Sequence, residues 1–179
     1  MGEMKNIANE DLLSLRNLTQ LRSLSISGVS STSLIAPRFK DRHFEELFQS
    51  LGQLNMLSFE LSHTRITSDS LVTLGKCCPL LQSCDIMGIY DMTAFRYEKA
   101  PLFPVLQSLQ VGAFTNTERI LGLRRPYDHV LQLEKHFPNL LNLHCTFRTI
   151  PLIHPEDDFA GRVVSLWWKR KEKARKAKA

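Results

Sequence analysis

One spacing of apolar residues recurs five times and constrains the fold of this chain more than any other feature. The template is four apolar residues, separated in turn by two, two and one intervening residues. The copies are Leu18, Leu21, Leu24 and Ile26; Leu51, Leu54, Leu57 and Phe59; Cys78, Leu81, Cys84 and Ile86; Phe103, Leu106, Leu109 and Val111; and Phe137, Leu140, Leu143 and Cys145. A pattern that returns every 25 to 34 residues indicates stacked structural units.

Each copy predicts a short strand that follows a helix. The last two apolar residues are separated by one residue, so both side chains point to the same side of a strand. Apolar residues at helical intervals predict helices over 41–49, 67–76 and 127–136, and a proline follows the first apolar residue in three of the copies. The serine-rich stretch 27–38 and the stretch 112–125 are interpreted as surface loops. The pattern therefore predicts a right-handed α/β solenoid.

The segment 66–86 carries a more specific pattern. The positions that match are Ile66, Thr67, Leu71, Leu74, Cys78, Pro79, Leu81 and Ile86. This segment resembles the cysteine-containing subclass of leucine-rich repeats in F-box proteins, and the uneven spacing is most similar to the fungal-type members. The resemblance implies a leucine-rich-repeat solenoid of about five irregular strand–helix repeats with a C-terminal helix. The expected divisions are a repeat domain over 1–150, a capping helix over 151–168 and a basic tail over 169–179.

The resemblance also implies a function. It suggests a protein–protein interaction module, similar to the part of F-box proteins that recognises substrates for SCF-type ubiquitin ligases. The expected partner is a protein substrate or a peptide. No F-box pattern precedes the repeats, so ligase components are expected only if an F-box lies upstream. The alternative of a truncated or remnant repeat fragment without specific activity stays open.

In such a solenoid the residues that alternate with the buried positions line the concave strand face. The candidate partner-binding residues are Ser25, Met56, Ser58, Glu60, Ser83, Asp85, Met87, Gln110, Asn142 and His144. The full set of alternating positions holds two acids and no Lys or Arg. Because nucleic-acid binding depends on cations that neutralise phosphates, this face favours a protein or peptide. The same residues would also serve simply as soluble strand positions.

The end of the chain is strongly basic. The last eleven residues hold seven Lys or Arg against one Glu, which exceeds the net charge of +5 for the whole chain. A helix from residue 156 would place Phe159, Val163, Leu166 and Trp167 on one face, where they could cap the last repeat. A second possibility is contact with nucleic acid or an anionic surface. The candidate residues are Lys169, Arg170, Lys171, Lys173 and Arg175. A solvated charged end is a third.

Catalytic and metal-binding patterns are weak in this sequence. The four cysteines contain no CxxC pair, the six histidines show no HExxH spacing, and the eight glycines form no phosphate-binding loop. We therefore expect no enzyme activity, no cofactor, no metal and no small-molecule substrate. No apolar run reaches the roughly 20 residues of a membrane span, and the N-terminus lacks a secretory pattern. A cytoplasmic or nuclear location is expected.

Overall fold

The computed structural model describes residues 3–28, 32–61, 64, 66–115, 126–146 and 158–177, and its centre is a parallel five-stranded sheet. The described strands are β1 (Glu3–Asn6), β2 (Ser23–Ile26), β3 (Thr32–Ile35), β4 (Met56–Phe59), β5 (Ser83–Tyr90), β6 (Ser108–Phe114) and β7 (Asn142–Cys145). The order in the large sheet is β2-β4-β5-β6-β7. Each strand of this sheet therefore lies beside the one that precedes it in the chain, once β3 is set aside.

The register of the sheet aligns the apolar template. The third residue of every copy forms one row across the five strands: Leu24, Leu57, Cys84, Leu109 and Leu143. All of these side chains are buried. The fourth residues form the next inward-facing row, because side chains on a strand return to the same face every second residue. Because these rows are aligned across all five strands, one face of the sheet is buried along its whole width.

Helices cover this buried face in chain order. They are α1 (Asn9–Ser14), α2 (Asp41–Phe48), α3 (Ser68–Cys77), α4 (Pro126–His136) and α5 (Phe159–Lys176), with 3-10 helices at Leu15–Asn17 and Met92–Tyr97. The hydroxyl of Thr67 accepts a hydrogen bond of 3.2 Å from the backbone N–H of Asp69, so Thr67 is the N-cap of α3. Neighbouring helical elements pack side by side from α1 to α5. The molecule therefore has one helical layer against one sheet.

Aromatic side chains fill much of the space between the layers. Phe44 lies 4.4 Å from Phe48 and 5.9 Å from Phe59, measured between ring centroids. At the other end of the sheet, Phe103 and Phe137 stack at 4.6 Å. All of these rings are at most 1% exposed. Close packing of this kind fixes α2 and α4 against the strands between them.

Two glycines allow β5 and β6 to approach closely where the pairing is irregular. The register between these strands shifts between Ile86 and Ile89. A Cβ atom added to Gly112 would lie 2.5 Å from the backbone oxygen of Gly88. No side chain fits at that distance, so the irregular pairing depends on glycine at this position.

The N-terminal region differs from the sequence-based expectation. The stretch 27–38, interpreted as a loop, contains β3, which pairs in parallel with β1 in a separate two-stranded sheet. The N-terminal residues before β2 form β1 followed by α1, with Leu12 as the buried residue of α1. Serine-rich composition favours turns locally, but pairing with a distant strand overrides that tendency.

The prediction of a right-handed leucine-rich-repeat solenoid is wrong. The strands recur, but their connections do not repeat a unit: β2 and β4 are joined through β3 and α2, whereas β4 and β5 are joined through α3. In the described part of the chain a 3-10 helix connects β5 to β6, and α4 connects β6 to β7. The fold is a mixed α/β structure with an open parallel sheet. The apolar template therefore predicts only each strand and the short segment that leads into it.

The C-terminal helix is continuous across the boundary proposed from the sequence. α5 runs from Phe159 to Lys176, so the expected boundary after residue 168 falls within this helix. The helix packs against α4 and β7. Trp167 is fully buried, whereas Trp168 is 42% exposed. The expected helix start at 156 and most of the expected loop over 112–125 lie outside the described residues. No helix in the described part has the length and apolar character needed to cross a bilayer.

Candidate functional site

The face of the large sheet that points away from the helices is called here the open face. Its central row, from β2 to β7, consists of Ser25, Ser58, Asp85, Gln110 and His144. The adjacent row consists of Ser23, Met56, Ser83, Ser108 and Asn142. Glu60 directly follows β4, and Met87 lies further along β5. The structure thus places the residues named from the sequence together on one surface.

Asp85 is the most constrained polar residue of the open face. Its Oδ2 atom accepts a hydrogen bond of 3.1 Å from Gln110 Nε2. Its Oδ1 atom is buried and has no hydrogen-bond partner in the described part of the chain. Desolvation raises the pKa of Asp85 above its usual value, the nearby charge of Glu60 raises it further, and the hydrogen bond from Gln110 opposes both. The centre of the face therefore holds an incompletely satisfied acid.

The rest of the open face is polar and uncrowded. Ser25, Asn142 and His144 are exposed, and Met56 is 47% exposed. The two rows contain no Lys or Arg. Hydroxyl, amide and acidic groups beside one exposed methionine can form hydrogen bonds and one apolar contact with a partner surface. This chemistry suits a protein surface better than a phosphate backbone.

Two of the basic residues named on α5 are held by the protein itself. Arg170 donates two hydrogen bonds to the carboxylate of Glu134 on α4, at 2.7 and 2.8 Å. Its guanidinium also lies 5.2 Å from the centre of the Tyr127 ring. The Lys171 ammonium lies 5.5 Å from the Trp167 ring. Arg170 therefore stabilises the contact of α5 with α4, whereas Lys171 packs on an aromatic ring of its own helix.

The three other named cations, Lys169, Lys173 and Arg175, are exposed and have no ion-pair partner among the described residues. They lie in the same helix as Arg170 and Lys171, with their side chains open to solvent.

The cysteines are poor candidates for nucleophiles. All four are free thiols. Burial raises the pKa of Cys78 to about 12, with Cys77 adding to the effect, and burial raises the pKa of Cys145 to about 12 with a contribution from Asp158. The Sγ atom of Cys78 donates to the backbone oxygen of Leu51 at 3.4 Å. These thiols stay protonated near neutral pH and act as packing groups.

One buried histidine lies beside a buried acid. His129 of α4 is fully buried, and its Nε2 atom lies 3.4 Å from Asp91 Oδ1. The backbone N–H of Met92 donates to its Nδ1 atom at 3.4 Å. Desolvation lowers the pKa of His129, and the charges of Asp91 and Asp128 only partly compensate. Because Asp91 also caps the 3-10 helix by accepting from Thr93, this pair has a structural role. Among the described residues no group of three or more potential ligands could hold a metal ion.

The sequence interpretation missed a basic cavity between α1 and the start of α2. A cavity of about 290 Å³ is lined by Asn9, Pro37, Arg38, Lys40, Arg42 and His43. The cations at every second position, Arg38, Lys40 and Arg42, were a sequence signal that could have indicated a basic site. That Asn9 of α1 also lines the cavity could not be predicted from the sequence.

Comparison with known proteins identifies a similar fold. No protein-family model and no curated protein matches the chain. A solved structure described as Leiomodin-1 Actin-Binding Site 2 (ABS2) is 12% identical, covers 96% of this chain and 94% of its own, and has a TM-score of 0.50. The tropomodulin C-terminal domain from Caenorhabditis elegans is 14% identical, covers 96% and 98%, and has a TM-score of 0.48. At such identity the leiomodin likeness shows the fold alone.

These findings correct the family and function expected from the sequence. The fold over nearly the whole chain is similar to that of the leiomodin-1 domain, not to that of an F-box or leucine-rich-repeat protein. The assignment to F-box proteins and to ubiquitin-ligase substrate recognition is therefore wrong. The alternatives of a remnant repeat fragment and of a basic-tail binder also find no support in this likeness. The resemblance over 66–86 reflects an N-cap, two helix positions and a strand entry, which unrelated α/β units share.

Proposed function

We propose that this chain is a protein-binding domain and that its partner is actin. The observation that carries the proposal is the end-to-end likeness of its fold to the domain described as Leiomodin-1 Actin-Binding Site 2. The coverage of 96% and 94% means that no large part of either chain lies outside the common fold. A whole-domain likeness of this kind supports a shared mode of use more than a partial match would.

The open face is the surface that we propose for this contact. Its two rows span five strands, so they offer a continuous polar surface of the width that protein interfaces use. Asp85 at its centre has an oxygen without a hydrogen-bond partner among the described residues. The exposed side chains of Ser25, Asn142 and His144 around it can form hydrogen bonds with a partner surface. Met56 offers an apolar anchor beside this acid.

Binding without catalysis is part of the proposal. The cysteines are protonated packing groups, and His129 is fully buried beside Asp91. The expected cytoplasmic location is compatible with actin as the partner, whereas a nuclear location has no separate support.

The test is cosedimentation with actin filaments together with fluorescence anisotropy on labelled actin monomers. Ser83→Arg places a long cation in the middle of the open face, and Ser165→Arg makes the same change at an exposed position of α5. We expect the first variant to weaken binding by at least about tenfold and the second to bind as the unaltered chain does. Circular dichroism and thermal melting check that both variants fold.

Two results would contradict this proposal separately. Failure of the unaltered chain to bind either form of actin would remove actin as the partner. Equal binding by the unaltered chain and the Ser83→Arg variant would leave actin as the partner and remove the open face as the contact surface.

A further inference from the structure

The basic cavity at the start of α2 has the features of an anion site. Six described residues line its volume of about 290 Å³, which is near the lower end of the range for ligand pockets, roughly 300–1,000 Å³. Three of them are Arg38, Lys40 and Arg42, and none is acidic. None of the three cations has an ion-pair partner among the described residues. The cavity therefore holds about three uncompensated positive charges.

The acids closest in sequence are committed elsewhere. Asp41 accepts hydrogen bonds from the backbone N–H and the hydroxyl of Thr67 and from the hydroxyl of Ser70. Glu45 accepts a hydrogen bond from Gln49, and Glu46 pairs with Arg16. Since none of these three carboxylates lines the cavity, its positive potential is not cancelled from within α2.

His43 gives the independent observation. The ring lines the cavity and is nine-tenths buried. The backbone N–H of Lys40 donates to its Nδ1 atom at 3.1 Å. In a neutral imidazole only one nitrogen accepts, so the proton of His43 is on Nε2.

Arg42 makes a second contact with this ring. Its Nε–H is directed at His43 Nε2 at 3.2 Å, but an imidazole that accepts at Nδ1 carries its proton on Nε2. In that tautomer Nε2 cannot accept from Arg42, and neither of these two N–H groups has an acceptor at the contact. A buried donor without an acceptor is costly, and an anion between Arg42 and His43 would accept from both. The helix adds to this effect, because the N-cap residue of α2 is Lys40, whose side chain offers no oxygen to the first turn.

We propose that this cavity binds the phosphate of a phosphomonoester. Two guanidinium groups provide forked donors that match phosphate oxygens. An ammonium group and a buried imidazole N–H add further donors from Lys40 and His43. A phosphomonoester carries a charge of about −1.5 to −2 near neutral pH, which suits a site with three cations better than a single carboxylate would. The site is separate from the open face, so it stands independently of actin binding.

The binding test is isothermal titration calorimetry with the full chain, using O-phospho-L-serine and inorganic phosphate as probes and L-serine as the neutral control. We expect the two phosphates to bind and L-serine not to bind. Arg42→Gln and Arg38→Gln should each weaken binding by at least about tenfold. The matched control Lys173→Gln removes an exposed cation from α5 and should leave the dissociation constant unchanged.

A heptapeptide with a central phosphoserine separates the two sources of such a phosphate. Binding at least as tight as that of O-phospho-L-serine would identify a phosphorylated protein side chain as the ligand. Much weaker binding would identify a small free phosphomonoester. Equal weakening by Lys173→Gln and Arg42→Gln, or no weakening by Arg42→Gln, would overturn the site.

A second measurement tests the histidine directly. Long-range proton–nitrogen NMR should report His43 as the tautomer with its proton on Nε2, and addition of inorganic phosphate should shift that resonance. The tautomer with its proton on Nδ1 would overturn the argument, because Nε2 could then accept from Arg42 and neither Arg42 nor His43 would need an anion between them. This readout does not depend on whether the arginine variants fold.

Discussion

Asp85 and Gln110 lie opposite each other on β5 and β6, and the side-chain amide of Gln110 donates a hydrogen bond of 3.1 Å to the Asp85 carboxylate. This bond satisfies only one carboxylate oxygen, since the other is buried and has no partner in the described part of the chain. The ionised form of Asp85 is therefore destabilised by the fold that places it there.

Asp85→Asn should stabilise the protein at pH 7. Desolvation raises the folded-state pKa of Asp85 above that of the unfolded chain, so the folded state pays for ionisation once the pH exceeds both values. We expect a gain of no more than about 1 kcal/mol, because the group is only partly buried. The gain should fade as the pH drops below the unfolded pKa of about 4. Urea unfolding at pH 7 and pH 3.5 measures it, and a larger gain at pH 3.5 would contradict this explanation.

Arg170→Lys should destabilise the protein by about 1 kcal/mol. A lysine cannot form the two parallel hydrogen bonds to Glu134, and it interacts less well with the face of the Tyr127 ring. The matched control is Lys169→Arg, at an exposed position one residue earlier. Thermal unfolding of both variants provides the comparison, and equal melting temperatures for the two would show that the contact of Arg170 contributes nothing.

Trp167→Ala should destabilise the protein by about 3–5 kcal/mol. The Trp167 side chain is fully buried, whereas that of Trp168 beside it is 42% exposed. Trp168→Ala should therefore change the stability by less than about 1 kcal/mol. Urea unfolding followed by far-ultraviolet circular dichroism measures both. Similar losses in the two variants would mean that α5 does not dock through Trp167.

Gly112→Ala should destabilise the protein by about 1–3 kcal/mol. The new methyl group would meet the backbone oxygen of Gly88 at 2.5 Å, and a paired strand cannot easily move aside. At Gly52 the corresponding contact, with the backbone oxygen of Cys77, is 3.3 Å. Gly52→Ala should cost less than half as much. Denaturant titration of the two variants tests the close approach of β5 and β6.

Acidification should destabilise the protein, and His129 should account for part of that loss. Burial lowers the folded-state pKa of His129 below the unfolded value of about 6.5. The unfolded state therefore takes up a proton first, and stability that is complete above this pH declines as the pH falls below it. His136 of the same helix has a pKa lowered chiefly by desolvation and contributes with the same sign.

His129→Gln should reduce the loss of unfolding free energy between pH 7.5 and pH 5.5. His144→Gln removes an exposed histidine of the open face and serves as the control. An unchanged pH dependence in His129→Gln would assign the acid sensitivity to other groups.

The sequence allowed the strands to be located but not the fold to be classified. Leu24, Leu57, Cys84, Leu109 and Leu143 were assigned to strands from spacing alone, and they form one row of the sheet. Local periodicity is sufficient for this because it reflects which side of a strand is buried. Local periodicity contains no information about the segments that connect the strands. These segments differ, because one holds β3 and α2, the next holds α3 and the third holds a 3-10 helix. The prediction of a solenoid with one repeated unit was therefore wrong.

The candidate sites differ in the same way. The open face followed from alternation along each strand, and eight of its ten named residues lie in the two paired rows, with Glu60 and Met87 outside them. The pairing of β1 with β3 depends on residues about 29 positions apart, and the basic cavity joins Asn9 of α1 to residues 37–43. Contacts over such separations are set by packing of the whole chain. The hydrogen bonds from Arg170 to Glu134 also join residues that are 36 positions apart. They could not be predicted while the basic tail was treated as one charged segment.

The order of the large sheet has a consequence for synthesis of the protein. Each strand from β4 to β7 pairs with the strand of that sheet made before it. A nascent chain can therefore extend the sheet from β2 towards β7 as it leaves the ribosome, without waiting for a distant partner. The newest strand presents an unpaired edge until the next one arrives, and α5, which packs beside β7, is the last described element to emerge. Growth of the sheet and growth of the chain thus proceed in the same direction.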